Sequence, residues 1–391
     1  MIPFEVAIKI VRDNVVLTGT ENIDIKKCLN RVLRQNVKSD MDMPPFDKSA
    51  MDGFACRMED IPNELEIIET VPAGYKPTKE IGKNQCAKIM TGAMIPLGAD
   101  CVIIVEDTEE LENGKVKFTK AKTGVNICIK AEDVIKGDQL LSAGIRITPS
   151  VIAALALTGC VSPEVSSKPK VGIISTGDEI VEPYKMPLAS QIRNTNSYQL
   201  LAQLEEFGCD PTYYGIVQDT KEATGEAIKK AKSENDLIIL TGGVSMGEFD
   251  LVPGLLKENG FDILFDKVAI QPGKPTVFGR DGSKFVFGLP GNPVSSYLIF
   301  EIFVKEFLAG VMGLKNTVKL RRCVLANDFK RKHNVRHAWI PVSIDHNNFA
   351  TPVDYHGSAH ITALPNANGI MSVPVGISEL KEGVDIDVRQ L

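Results

Sequence analysis

The sequence has no run of lysine or arginine long enough to hold a nucleic-acid backbone by charge alone, and its formal net charge is -6. Sequence-independent nucleic-acid binding is therefore not expected. It also lacks any apolar stretch near the ~20 residues that a membrane helix needs; the most apolar segment, around 151–161, is far shorter. The opening Met1-Ile2-Pro3-Phe4-Glu5 has neither the basic segment nor the apolar core of a secretory signal. No C-x-x-C pair occurs. The eight cysteines, Cys28, Cys56, Cys86, Cys101, Cys128, Cys160, Cys209 and Cys323, are scattered, which suggests neither a zinc site nor a disulfide framework. A reduced, cytoplasmic setting is expected, with no nucleic-acid or membrane partner. The five histidines all fall in the C-terminal part, and His333 and His337 lie in strand-like surroundings, where their i,i+4 spacing puts no metal pair on a helix face.

What is present is an ordinary globular composition, 43% hydrophobic and 24% charged over 391 residues, room for two to four domains. The first 35 or so residues carry helical periodicity, with Ile8, Ile10, Val11 and Val15 on one face. A Pro-rich loop follows, from Asp42 to Ala55. From about Glu59 to Leu141 short β-runs alternate with Gly, Pro and Asn. Pro149 is placed to open a helix through about Leu157. Beyond Lys168-Pro169, strand-like Val171–Ile174, Tyr213–Val217, Leu237–Leu240 and Phe285–Phe287 alternate with helical patterns over 196–207, 221–232, 251–259 and 293–308. This predicts a mostly parallel sheet with helices on both faces. After about Leu314 short β-runs return, such as Ala338–Ile344. The expected architecture is α/β and multidomain: an N-terminal helical linker region (1–56 and 142–167), an inserted β-rich domain (57–141), an α/β domain (168–314) and a small C-terminal β domain (315–391).

Gly and acidic residues gather just after the predicted strands: Ser175-Thr176-Gly177-Asp178-Glu179, Gln218-Asp219, Thr241 through Asp250, and Gly288 through Pro293. In a parallel sheet these loops emerge at the carboxyl edge, where open α/β folds bind ligands. Asp178, Glu179, Asp219 and Asp250 are thus candidate ligands of a hard cation such as Mg2+, which takes oxygen donors and bridges phosphates. Gly242, Gly243 and Gly247, with Ser245, would let backbone N–H groups approach an anion; the segment is neither a Walker loop nor G-x-G-x-x-G. Lys267 and Lys274, around Gln271-Pro272-Gly273-Lys274-Pro275, are candidate anion contacts. Each feature also has a plain structural reading: glycines make turns, an aspartate caps a helix, a lysine is a solvated charge.

Taken together, Pro45 through Ala55, Ile89-Met90-Thr91-Gly92-Ala93, Ser175–Glu179, Thr241–Asp250, Gln271–Pro275 and Gly288–Pro293 resemble the motifs of the molybdopterin molybdenumtransferase (MoeA) family, in order and spacing, from about residue 3 to about 385. The α/β part alone also resembles the MogA-like adenylyltransferase fold; the N-terminal loop and inserted domain separate the two. The resemblance implies that adenylylated molybdopterin and molybdate are substrates, that Mg2+ is needed and that AMP is released. It further implies a homodimer, each site lying between the α/β domain of one subunit and the inserted domain of the other, and a MogA-like adenylyltransferase as pathway partner. Carried over by motif, the catalytic residues would be Asp52, Thr91, Asp133, Glu179, Asp219 and Asp250. Thr176, Gly177, Gly242, Gly243, Ser245, Gly247, Lys267, Lys274, Pro290, Gly291, Asn292, Pro293 and Ser358 would bind the cofactor precursor. Two positions depart from the family pattern: Gln271 stands where lysine is common, and Cys128 where arginine is common. The alternatives are an adenylyltransferase using ATP, a gephyrin-like scaffold, and a tungsten-inserting relative.

Overall fold

The computed structural model describes residues 1–243, 252–315, 318–354 and 357–391. They form two compact units: residues 36–142 with 149–163, and residues 1–35, 143–148 and 164–391.

The first unit is built on a six-stranded mixed sheet in the order Cys101–Ile104, Gly53–Cys56, Gln85–Ile89, Glu64–Val71, Lys115–Phe118, Thr108–Glu110. Alternate residues feed two cores. Phe54, Leu65, Ile103 and Val116 face one side; Ala55, Val71, Ile89 and Val102 face the other. Gly53–Cys56 is hydrogen-bonded on both sides. It is thus an interior strand of a compact unit that begins at 36. The Pro-rich loop is stitched into it as well: Ala131 N–H donates to Pro44 O at 3.0 Å and Val134 N–H to Met43 O at 3.1 Å. The helix Pro149–Leu157 forms as its sequence predicts and lies in this compact unit. Gly53 is required by packing, since a Cβ there would sit 1.9 Å from the carbonyl oxygen of Ile103. Cys86, Cys56 and Cys101 stand opposite one another across three strands, all buried, with the Sγ atoms of Cys56 and Cys101 3.6 Å apart. That contact and burial push the Cys56 thiol up, and burial raises Cys86 to about 12, so both are poor nucleophiles.

The second unit contains a six-stranded sheet in the order Asp210–Val217, Lys170–Thr176, Leu237–Thr241, Lys284–Leu289, Val277–Asp281, Asp262–Phe265. The first four are mutually parallel and the last two pairings are antiparallel. The strands read as continuous apolar runs because both faces are covered. Val171, Ile173, Leu237 and Ile239 pack with Leu200 and Leu204 of Asn196–Phe207; Ile174, Ile238 and Leu240 pack with Ile228 and Ala231 of Lys221–Glu234. Gly208, in the left-handed conformation, closes the 196–207 helix as expected. The segment predicted as one helix from Pro293 runs as Pro293–Ile299, a π-helical turn Phe300–Val304, and Lys305–Met312.

The C-terminal strands close on themselves. His337–Ile344, Phe349–Pro352, Leu320–Leu325, Asp385–Gln390 and Gly369–Val373 each pair with the next, and the last returns to the first. Closure removes free edges around a core of Val342, Ala350, Met371 and Val388. The short strand Ile270–Gln271 joins this sheet beside His337. His337 is buried, bonded through Nε2 to Ser372 Oγ at 2.8 Å and stacked against Trp339. Burial holds it below its ordinary pKa, which makes it a structural histidine. The N-terminal helix Phe4–Asp13 packs in the same unit through Phe4, whose ring lies 5.7 Å from Phe303 and 5.2 Å from Trp339.

Candidate active site

The strand order places Asp210–Val217 on one side of Lys170–Thr176 and Leu237–Thr241 on the other, so the chain reverses its winding between the latter two. Such switch points are where doubly wound sheets hold ligands. Here the strands end in Thr176-Gly177 and Thr241-Gly242-Gly243, and a cleft of about 1160 Å3 opens beyond them. Gly242 has φ +95°, and a Cβ on it would lie 2.2 Å from the carbonyl oxygen of Thr176. Only glycine lets the two strand ends approach this closely. Gly242→Ala is expected to destabilise the protein by about 2 kcal/mol or more and to abolish activity through displacement of this turn. A chemical-denaturation midpoint and an activity assay on the same preparation check it; wild-type values in both would show that the close approach is dispensable.

Of the residues predicted from sequence, Thr176, Gly177, Glu179, Asp219, Gly242, Gly243, Lys274, Pro290, Gly291, Asn292, Pro293 and Ser358 line this cleft. Asn292 Nδ2 donates to Ser358 Oγ at 2.8 Å, and Val294 N–H donates to Ser358 O at 2.9 Å, which fixes the Pro290–Pro293 turn. Asp178 is exposed and outside the lining; its Oδ1 accepts the Asp219 N–H at 3.4 Å. Lys267 is also outside the lining. Ser245, Gly247 and Asp250 lie outside the described residues. Among the described residues no three His, Cys, Asp or Glu side chains converge on a metal-sized position. Two cleft carboxylates, Glu179 and Asp219, remain, a donor set that suits Mg2+, which is commonly held by one or two carboxylates with substrate phosphates completing its shell.

Several site features were not legible in the sequence. Arg193, Arg336, Gln191, Thr195 and Ser295 line the cleft too. Arg193 and Gln191 sit on the long connection between Thr176 and Asn196, and that length was an available signal, because long connections in compact folds are commonly functional. Glu182 pins this connection by accepting from Tyr198 OH at 2.9 Å and Tyr213 OH at 2.8 Å. Asn196 bridges the strand ends, donating to Thr241 Oγ1 at 2.7 Å and to Gly291 O at 2.8 Å. Among the described residues, Thr176 Oγ1, on the cleft lining, and the buried Ser175 Oγ and Asn196 Oδ1 have no hydrogen-bond partner. Unsatisfied groups of this kind cluster where a ligand will complete them. The cations Lys274, Arg193 and Arg336 face the cleft without an ion pair among the described residues, although the chain as a whole is acidic.

Asp52, Thr91 and Asp133 all lie in the other compact unit, 36–142 with 149–163. Thr91 donates to Asp52 Oδ1 twice, from its N–H at 2.6 Å and from Oγ1 at 2.8 Å. The Thr91 N–H, then its hydroxyl, hold the Asp52 carboxyl below its ordinary pKa. A depressed pKa makes Asp52 a weaker base than an ordinary carboxylate. Thr91→Val should raise that pKa toward the ordinary value while the backbone donor retains part of the shift; 13C NMR titration reads it, and an unchanged pKa would remove the hydroxyl from the account. Asp133 is exposed, and its N–H donates to Met43 O at 3.0 Å. Cys128 pairs in register with Lys48, and burial, then Glu132, raises its pKa.

A doubly wound sheet with a polar, partly unsatisfied cleft at its switch point, carried on the same chain as a β-rich insert and a closed C-terminal sheet, defines a multidomain α/β protein built around a MogA-like ligand-binding domain. Residues 2–159 match the MoeA N-terminal region (domain I and II), 172–310 the "Probable molybdopterin binding domain", and 322–391 the MoeA C-terminal region (domain IV). The chain belongs to the MoeA family. It is 37% identical to a molybdopterin molybdenumtransferase of Bacillus subtilis over 94% of this chain and 89% of that one. It is 35% identical to one of Staphylococcus epidermidis over 98% and 94%. Among solved structures, a molybdopterin biosynthesis moeA protein of Pyrococcus horikoshii superposes with a TM-score of 0.86 at 30% identity, covering 100% of both chains.

Proposed function

We propose that this chain is a transferase of molybdenum cofactor biosynthesis that inserts molybdenum from molybdate into adenylylated molybdopterin, releasing AMP. The observation that carries the reading is the cleft itself: positive-φ glycines, two carboxylates and unpaired cations meet at the switch point of a domain whose family is described as molybdopterin-binding. The chain's residues divide the work. The Gly242-Gly243 turn offers backbone to a phosphate without side chains in the way, and Lys274 and Arg336 offset negative charge on a phosphorylated pterin or an oxyanion. Glu179 and Asp219 would hold Mg2+, which when bound neutralises the pyrophosphate oxygens. No helix among the described residues is long and apolar enough to cross a membrane; a cytoplasmic location and a MogA-like adenylyltransferase as supplier of the substrate belong to the same proposal.

The purified chain given adenylylated molybdopterin, molybdate and Mg2+ should release AMP and yield cofactor that restores an apo-molybdoenzyme. AMP production without restoration, or activity undiminished in excess EDTA, would sink the reading. Substituting ATP and free molybdopterin tests the adenylyltransferase alternative, and substituting tungstate tests the choice of metal. The family resemblance further suggests a homodimer in which Thr91 and Glu179 serve one reaction from different subunits. Co-expressed Thr91→Ala and Glu179→Gln chains would then regain some activity in verified mixed dimers, as a two-fold assembly requires.

A further inference from the structure

A second cavity, of about 870 Å3, shares no lining residue with the cleft. Among the described residues it is lined by Arg146, Lys305, Lys315, Lys319, Arg321 and Arg389, against the side-chain carboxylates of Glu206 and Glu301. That balance is opposite to the chain's net charge of -6. One acid is already engaged: buried Glu301, on the π-helical turn, accepts from Lys305 Nζ at 2.8 Å and Gln203 Nε2 at 3.0 Å. Arg389 is 7% exposed, and its Nη2 is buried without a hydrogen-bond partner. Burial pulls the pKa of Arg389 down, against the carboxylates of Glu301 and Glu306, which raise it. Gln203 Oε1, also at this cavity, has no partner. The cations are pre-positioned on an apolar base, since the Arg146 guanidinium lies 4.8 Å and Lys305 Nζ 5.8 Å from the centroid of the Phe207 ring. Leu314 and Ile344 extend that base along the wall.

We infer that this cavity is a second ligand site, for a small organic phosphate whose phosphate group pairs with Arg389 and whose apolar part lies along Phe207 and Leu314. A guanidinium matches phosphate oxygens in geometry and charge. The volume exceeds what a bare oxyanion fills, and an apolar wall beside a polar focus is the usual build of an organic ligand's pocket. Exposed Lys315 and Lys319 draw the anion to the mouth.

Calorimetric titration of the full chain with phenyl phosphate, and separately with inorganic phosphate, tests this. Phenyl phosphate should bind saturably and more tightly than inorganic phosphate. Arg389→Met should weaken it by about ten-fold or more, the scale of one charge-assisted pairing. The double change Lys315→Glu with Lys319→Glu, at exposed positions, should also weaken it, and decides the matter alone if Arg389→Met fails to fold. Lys274→Ala, in the cleft, should leave this binding in place. Binding that survives the cavity variants, that disappears with Lys274→Ala, or that is no tighter than for inorganic phosphate overturns the inference.

Discussion

Glu179→Gln combined with Asp219→Asn is expected to lower the rate of AMP release by about 10²- to 10³-fold, the range typical of losing preorganised electrostatic stabilisation. The two carboxylates come from different loops, one after Lys170–Thr176 and one after Asp210–Val217, and both line the cleft. Amides keep their volume and remove only charge, so the fold should be untouched. Asp219 N–H would still donate to Asp178. If the pair holds Mg2+, the concentration for half-maximal rate should rise in each single variant before the rate itself collapses in the double. Residues that act as one unit give non-additive losses, so the double should lie well short of the product of the singles. A double variant with more than half the wild-type rate would move the chemistry away from this edge of the sheet.

The largest loss of stability is expected at Phe278. Its ring meets Phe265 at 5.7 Å, Phe285 at 6.3 Å, Phe287 at 4.6 Å and Phe307 at 5.6 Å, and it is fully buried. The Phe278→Ala change removes the hub of that cluster from an antiparallel strand beside the Lys284–Leu289 strand. A loss of about 3–5 kcal/mol is expected, the transfer and cavity cost of a buried Phe. Urea denaturation followed by fluorescence checks it; a shift below 1 kcal/mol would mean that the neighbouring rings collapse into the space.

Much of the α/β unit was legible because its signals are local and mutually consistent. Leu237–Leu240 is apolar without break, and Asn196–Phe207 is an amphipathic run ended by Gly208. Glycines and acids after those strands placed most of the cleft. The two antiparallel strands were missed because Asp262–Phe265 has only four residues and Val277–Asp281 ends in charged Arg280-Asp281, so neither carries a clean period. Arg336 and Ser358 reach the cleft from the C-terminal region, a tertiary fact that spacing does not encode, and only the family resemblance suggested Ser358. Asn196 reads in sequence as a helix start. Its bridge to Thr241 and Gly291 becomes visible only once the strands are side by side.

The division of the chain into interleaved units fixes an order of events during synthesis. Residues 36–163 hold everything the β-rich unit requires, so that unit can finish while most of its neighbour is unmade. The Phe4–Asp13 helix, in contrast, is made before that unit and must wait: Arg12 bonds to Glu306, 294 residues on, and Phe4 packs on Phe303 and Trp339. At roughly 5–20 residues per second, the interval is on the order of 15–60 s. Throughout that time the stripe formed by Phe4, Ala7 and Val11 has no native core to enter. A helix made before the β-rich unit thus docks only once residues about 300 positions later exist, and its apolar face stays uncovered by its native partners until then.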